Sequence, residues 1–221
     1  MQTLVIDLLG NTGTGASLPA IAALLFGALT ITGEHRRGSL TSTVLAEPRR
    51  IRLILAKLAA LSISTVAAAV LLAASRSLTL TVGLMAQNEP VLILAGDVAR
   101  TWGTGALALI LYTLIGFAAG LLLRNPVTAL VVLCSFLVAE SIIRPVAALV
   151  IGTPNPARYL PTGLIPDLIG TNPLAALTGA DASLTTGIGT APAIVTLSAW
   201  TVLVLVAATV RFVRADIPVQ E

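Results

Sequence analysis

Four long stretches of this chain carry no charged residue, and they limit what the chain can fold into. They lie between Asp7 and Glu34, between Lys57 and Arg76, between Arg100 and Arg124, and between Asp181 and Arg211. An α-helix needs about 20 apolar residues to cross the hydrocarbon of a bilayer. With 56% hydrophobic and 10% charged residues overall, the chain is expected to be an integral membrane protein.

Apolar length and the positions of helix breakers predict an all-α polytopic bundle with five membrane-spanning helices. The predicted spans are residues 16–32, 53–74, 104–123, 127–143 and 191–210. The whole chain, residues 1–221, is expected to form a single transmembrane domain. Residues 144–190 contain six prolines, which oppose a continuous helix and predict an external segment rich in Pro and Gly.

The distribution of Lys and Arg orients these spans, because both favour the cytoplasmic side of a membrane. Nine of the 13 basic residues lie on the side of residues 33–52, and the other four are Arg76, Arg100, Arg144 and Arg158. Residues 33–52 and the C-terminus are therefore predicted to be cytoplasmic, in a bacterial plasma (inner) membrane. The N-terminus is then outside, before a span that no basic residue precedes, which predicts a further helix upstream.

Most of the charge falls in one window of the sequence. Residues 32–57 contain six basic and two acidic side chains, a net charge of +4, while the whole chain carries +3. Within this window Leu40, Val44 and Leu45 fall at helical spacing and form one apolar face. With Pro48 as its boundary, the pattern predicts a short amphipathic helix, and a solvated positive-inside loop is the alternative.

The chain offers few groups for catalysis. His35 is its only histidine and has no second metal ligand nearby in the sequence, so a solvated loop residue is expected. Cys134 is its only cysteine and lies in an apolar run, which predicts a small buried hydrophobe and no intrachain disulfide. The stretch GNTGTGAS at residues 10–17 lacks the lysine of a phosphate-binding loop. We therefore expect no enzymatic site, metal or cofactor on this chain.

Two pairs of residues inside the spans have a structural and a functional interpretation. Glu140 and Arg144 lie one turn apart near the outer end of the fourth span, where an ion pair that fixes the helix end is expected. A substrate or ion contact at Glu140 is the alternative. Gly116 and Gly120 form a small-xxx-small pattern that predicts helix packing within the bundle, with a homodimer contact as the alternative.

The order of motifs around the charged window resembles permease subunits of type-2 ABC transporters. In GEHRRGSLTSTVLAEPRRIRLILAKL, an acidic residue, a basic residue, Gly-Ser-Leu, an apolar stretch, Pro, two Arg and a Lys follow one another. The matching residues are Glu34, Arg37, Gly38, Ser39, Leu40, Pro48, Arg49, Arg50 and Lys57. GLLLRNPVTAL at residues 120–130 and the stretch around Glu140–Gly163 extend the resemblance over nearly the whole chain.

The resemblance implies six spans, the first of them upstream of the five seen here, and a homodimer or heterodimer of permease copies. It also implies a separate ATPase subunit that binds ATP and Mg²⁺, with residues 33–52 docking onto it as a coupling helix. Apolar anchors and flanking charges suit such docking. The docking residues implied are Glu34, Arg36, Arg37, Gly38, Leu40, Val44, Leu45, Arg49 and Arg50.

The predicted function is the permease half of an ATP-driven exporter. Because the spans lack charges at their centres, an amphiphilic or lipid-like cargo is favoured. Membrane lipid is a further expected partner, and nucleic acid is not. Two alternatives stay open: a membrane scaffold or assembly factor without a transport cycle, and a stand-alone secondary transporter, which usually places charged or broken-helix sites at mid-membrane.

Overall fold

A computed structural model of the chain describes residues 8–9, 17–37, 50–87, 95–123, 125–151, 159–169 and 188–214. Every regular element within these ranges is helical, which confirms the predicted all-α class. The elements are α1 (Leu18–Arg37), α2 (Arg50–Gln87), α3 (Ala95–Leu123), α4 (Pro126–Ile151), a 3₁₀ turn (Pro161–Leu164), α5 (Ile165–Ile169) and α6 (Thr190–Arg214).

Four of the described helices are long and apolar enough to cross a membrane, by length and composition: α2, α3, α4 and α6. The apolar part of α1, Leu18–Glu34, is slightly shorter. Each of these five helices overlaps one of the five predicted spans, because an uncharged apolar run leaves the chain no other way to satisfy its backbone in lipid. The chain is therefore a multi-pass membrane protein.

Helix α3 is the centre of the bundle. It contacts α1, α2, α4, α5 and α6. More than half of its apolar window is buried inside the protein, against about a fifth in the other three long helices. Its sequence explains this position, since small residues alternate with Leu in TGALALILYTLIGFAAGLLL and let neighbouring helices approach closely.

The closest approach is between α1 and α3, where glycines from both helices meet. A Cβ atom added to Gly120 would lie 2.6 Å from the carbonyl oxygen of Ala28. One added to Gly116 would lie 2.7 Å from the carbonyl carbon of Leu24, and one added to Gly27 would lie 2.8 Å from the α3 backbone. Gly116 and Gly120 thus pack against α1 of the same chain, and α1 and α3 are in backbone contact.

Helix α2 is longer than a membrane crossing requires. Its 38 residues span about 57 Å at 1.5 Å per residue, whereas bilayer hydrocarbon is about 30 Å thick. Lys57 and Arg76 are 19 residues apart, or about 28 Å along the helix. The hydrocarbon therefore fits between these two cations, and α2 continues well past the predicted span at 53–74.

Helix α4 also runs beyond the predicted boundary at residue 143. It continues through Pro145 to Ile151, because membrane helices tolerate proline when neighbouring groups satisfy the freed backbone. Its buried positions form a single stripe that includes Ala129, Leu133 and Glu140. Cys134 lies off this stripe and is exposed, so the prediction that it is buried is wrong. An apolar side chain of a membrane helix can face lipid and need not be in the core.

Candidate functional site

Five helix termini gather at one end of the bundle: the ends of α1, α3 and α6 and the starts of α2 and α4. Ile31, Ile54, Phe117 and Ala208, from four different helices, share one buried apolar cluster there. We call this the charged end, because its described charged side chains are Glu34, Arg52, Lys57, Arg211 and Arg214. It is the side that the basic-residue count predicts to be cytoplasmic.

An ion pair at the charged end joins the last turns of α1 to the first turns of α2. Lys57 Nζ donates a hydrogen bond to Glu34 Oε2. Both side chains are partly buried, at 21% and 31% exposure, so the pair is expected to contribute about 0.2–1 kcal/mol to stability. Because residues 38–49 connect these two helices, the pair links the helix ends on either side of them.

The predicted docking residues fall into three groups. Glu34 lies in α1 and faces Lys57 of the same chain. Arg36 and Arg37 lie at the end of α1 and Arg50 at the start of α2, on either side of residues 38–49. The remaining predicted residues lie outside the described residues: Gly38, Leu40, Val44, Leu45 and Arg49. The coupling helix and the docking role of all these residues stay predictions.

On the side of the bundle away from the charged end, residues 159–169, which we call the capping segment, pack among the helices. Its apolar residues Leu164, Ile165 and Leu168 are buried against the helices. Two aromatic side chains hold its start: the Tyr112 hydroxyl of α3 donates to the carbonyl oxygen of Pro161, and Trp200 Nε1 of α6 donates to that of Tyr159 at 3.0 Å. The segment is thus tied to both α3 and α6.

Glu140 of α4 holds the same segment from a third side. Its side chain is 1% exposed, and Oε1 accepts hydrogen bonds from the backbone N–H groups of Thr162 (2.8 Å) and Gly163 (3.1 Å). These donors open the 3₁₀ turn, so the carboxylate satisfies N–H groups that a helix start leaves unpaired. Oε2 is buried with no hydrogen-bond partner in the described part of the chain. The ion pair between Glu140 and Arg144 stays a prediction.

Sequence reasoning missed most contacts of the capping segment. Asp167 Oδ2 accepts a hydrogen bond from the backbone of Ile188 at 3.2 Å, which ties the segment to the residues just before α6. Tyr112 carried a usable signal, since a hydroxyl in a long apolar run needs a hydrogen-bond partner. The sequence around Asp167 and Trp200 gave no signal that identifies their hydrogen-bond partners.

A groove between α1 and α2, with α3 as its floor, opens on the flank of the bundle. Its volume is about 500 Å³. Most of its wall is apolar, and Arg76 lies at one end. The lining residues are Leu18, Pro19, Ala22, Ala23 and Phe26 of α1, Ser64, Thr65, Ala68, Leu72 and Arg76 of α2, and Leu109 and Thr113 of α3.

The described ranges bring no three His, Cys, Asp or Glu side chains together in a way that could hold a metal ion.

Residues 5–217 match the model of a protein family described as ABC-2 family transporter protein. Comparisons with curated proteins and with solved structures give no significant match. The family match therefore covers nearly the whole chain, including both ends of the bundle.

Proposed function

The chain belongs to the ABC-2 family of transporter proteins and is a membrane permease of an ABC transporter; we propose that it is the permease half of an exporter. In this proposal a separate ATPase subunit binds ATP and Mg²⁺ and docks at the charged end. Residues 33–52 form the coupling helix that receives it, with Leu40, Val44 and Leu45 as anchors. Two permease copies, identical or related, complete the transporter.

The observation that carries this proposal is the set of contacts made by the two helices that flank the coupling segment, residues 38–49. It emerges between α1 and α2, whose ends the Glu34–Lys57 ion pair joins. Helix α1 in turn packs on α3 at backbone contact distance through Gly27, Gly116 and Gly120. Tightly packed interfaces move as units rather than deform gradually. In this proposal a displacement of the coupling segment is therefore transmitted through α1 to the central helix α3.

The proposed topology follows the same end of the molecule. The charged end and the C-terminus face the cytoplasm of a bacterial plasma (inner) membrane, and the capping segment faces outside. The four basic side chains described at the charged end, Arg52, Lys57, Arg211 and Arg214, support this orientation. The cargo is amphiphilic or lipid-like, because the apolar helix surfaces favour a molecule that travels beside them.

The test is the replacement of an anchor with an acidic residue. Leu40→Asp or Val44→Asp puts an unpaired carboxylate into the docking groove of the ATPase, which costs about 1–3 kcal/mol and weakens association about 5- to 150-fold. We expect the ATPase that copurifies per permease to fall accordingly, with ATP-dependent transport. Neither residue belongs to a span, so insertion should be unaffected.

The matched control is Leu78→Asp, the same change at an exposed position of α2 (65% exposed) beyond Arg76. It should leave the copurified ATPase unchanged. Full ATPase recovery with Leu40→Asp and Val44→Asp would refute the docking assignment. A native chain that recovers no ATPase and transports without ATP would fit a secondary transporter, and one that does neither would fit a scaffold.

A further inference from the structure

The groove between α1 and α2 exists because these consecutive helices diverge. Apart from the ion pair at the charged end, α1 and α2 make little direct contact with each other. Both helices pack on α3. Phe26 and Ala68 on its two walls are exposed on the flank of the protein. The groove is therefore open to the acyl region of a bilayer, and a ligand can enter it sideways.

The hydroxyl groups that line the groove are hydrogen-bonded within their own helices. Ser64 and Thr65 donate their hydroxyl hydrogens to the carbonyls of Ala60 and Leu61 at 2.9 and 2.8 Å, and Thr113 does the same toward Leu109 at 2.9 Å. These hydroxyls need no partner from a ligand. The body of the groove thus suits a hydrocarbon chain.

Arg76 is the exception at the end that lies toward the capping segment. It is partly buried, and within the described ranges no carboxylate or other acceptor hydrogen-bonds it. Its 19-residue distance from Lys57 puts it at the border of the hydrocarbon, where lipid headgroups lie. A guanidinium there presents planar donors that match phosphate or carboxylate oxygens.

The length of the groove matches one leaflet. Ser64 and Arg76 are 12 residues apart on α2, which is about 18 Å, close to half of the roughly 30 Å hydrocarbon thickness. The volume of about 500 Å³ lies inside the range of about 300–1,000 Å³ for small-molecule sites. The dimensions admit one acyl chain and exclude a bulky folded cargo.

We propose that this groove binds an anionic, single-chain amphiphile of the lysophospholipid kind, taken from the leaflet at the capped end. The chain lies between α1 and α2 over Leu109, and the phosphate of the headgroup contacts Arg76. This binding requires neither ATP nor the ATPase, so its test is independent of the test of the proposed export function.

The experiment uses the full chain, with any copurifying ATPase, in phosphatidylcholine nanodiscs without ATP. Lysophosphatidylglycerol and lysophosphatidylcholine, each with a diazirine in the same acyl chain, are photo-crosslinked in parallel. The two reagents differ in net headgroup charge. We expect the anionic reagent to label about three- to tenfold more strongly, and its label to map to residues 18–26 and 64–76.

Variants separate charge from space. Arg76→Gln should remove the preference for the anionic reagent, Arg76→Lys should retain most of that preference, and Ala68→Trp should block both reagents. Arg100→Gln is the control, because Arg100 is exposed at the same end and contacts Thr190 outside the groove (3.5 Å). Equal labelling of the native chain by both reagents would overturn the proposal. So would label outside the groove, or a charge preference that survives Arg76→Gln.

Discussion

Glu140→Ala removes the carboxylate that holds the start of the capping segment. The backbone donors of Thr162 and Gly163 are buried and lie 2.8 and 3.1 Å from Glu140 Oε1. Each donor left unsatisfied costs about 1–3 kcal/mol, and removing the buried charge returns part of that sum. The capping segment is therefore expected to lose about 2–4 kcal/mol of local stability.

The assay is hydrogen–deuterium exchange of the full chain in nanodiscs, followed at the amides of Thr162 and Gly163. Local opening sets their exchange rate, and about 1.36 kcal/mol corresponds to a factor of ten. Protection at these two amides should fall about 30- to 1,000-fold in Glu140→Ala. Amides of the central helix α3 should keep their native protection, since the loss is confined to one end.

Two variants test the reasoning behind that number. Glu140→Gln keeps an oxygen acceptor at the same place and should retain most of the protection. Ser141→Ala changes the neighbouring residue, whose hydroxyl donates to Val138 of the same helix at 2.7 Å, and should have no effect on the capping segment. If Glu140→Ala and Ser141→Ala show equal protection at the two amides, the carboxylate does not hold the segment.

Three further predictions concern other contacts. Gly116→Ala places a Cβ against the α1 backbone and should lower stability by about 1–3 kcal/mol, measured by thermal unfolding; Gly103→Ala, with open space around it, should not. Lys57→Glu should destabilise the charged end and the double exchange with Glu34→Lys should restore it, with a coupling energy of about 0.2–1 kcal/mol; zero coupling would contradict the ion pair. Ser42→Cys should react with an impermeant maleimide only in inverted vesicles, and labelling of intact cells would reverse the proposed topology.

The spans were predictable because each depends on a local property of the sequence. An uncharged run of sufficient length has to form a helix in lipid, so α3 and α6 follow from their composition. The end of α4 was not predictable by the same rule. The sequence analysis treated the six prolines of residues 144–190 as opposing a continuous helix, and this rule fails at Pro145, where the membrane helix continues to Ile151.

The polar contacts depend on which residues the fold brings together, and spacing along the chain does not encode that. Glu34 and Lys57 are 23 residues apart, and sequence analysis placed both in one charged window without pairing them. Glu140 bonds to backbone N–H groups 22 and 23 residues away. A backbone donor has no sequence signature, so only the fold could identify what this carboxylate holds.

The length of α2 has a mechanical consequence. If the helix moves as a stiff rod, its contact with Glu34 at Lys57 makes a natural pivot. Arg50 lies about 10 Å from that pivot and Gln87 about 45 Å from it, at 1.5 Å per residue. The part of α2 between Lys57 and Gln87 is therefore about four times as long as the part between Arg50 and Lys57. A shift of about 1 Å where the coupling segment joins α2 becomes about 4 Å at the opposite tip. In this description the length of α2 amplifies a small displacement on one side of the membrane into a larger one on the other.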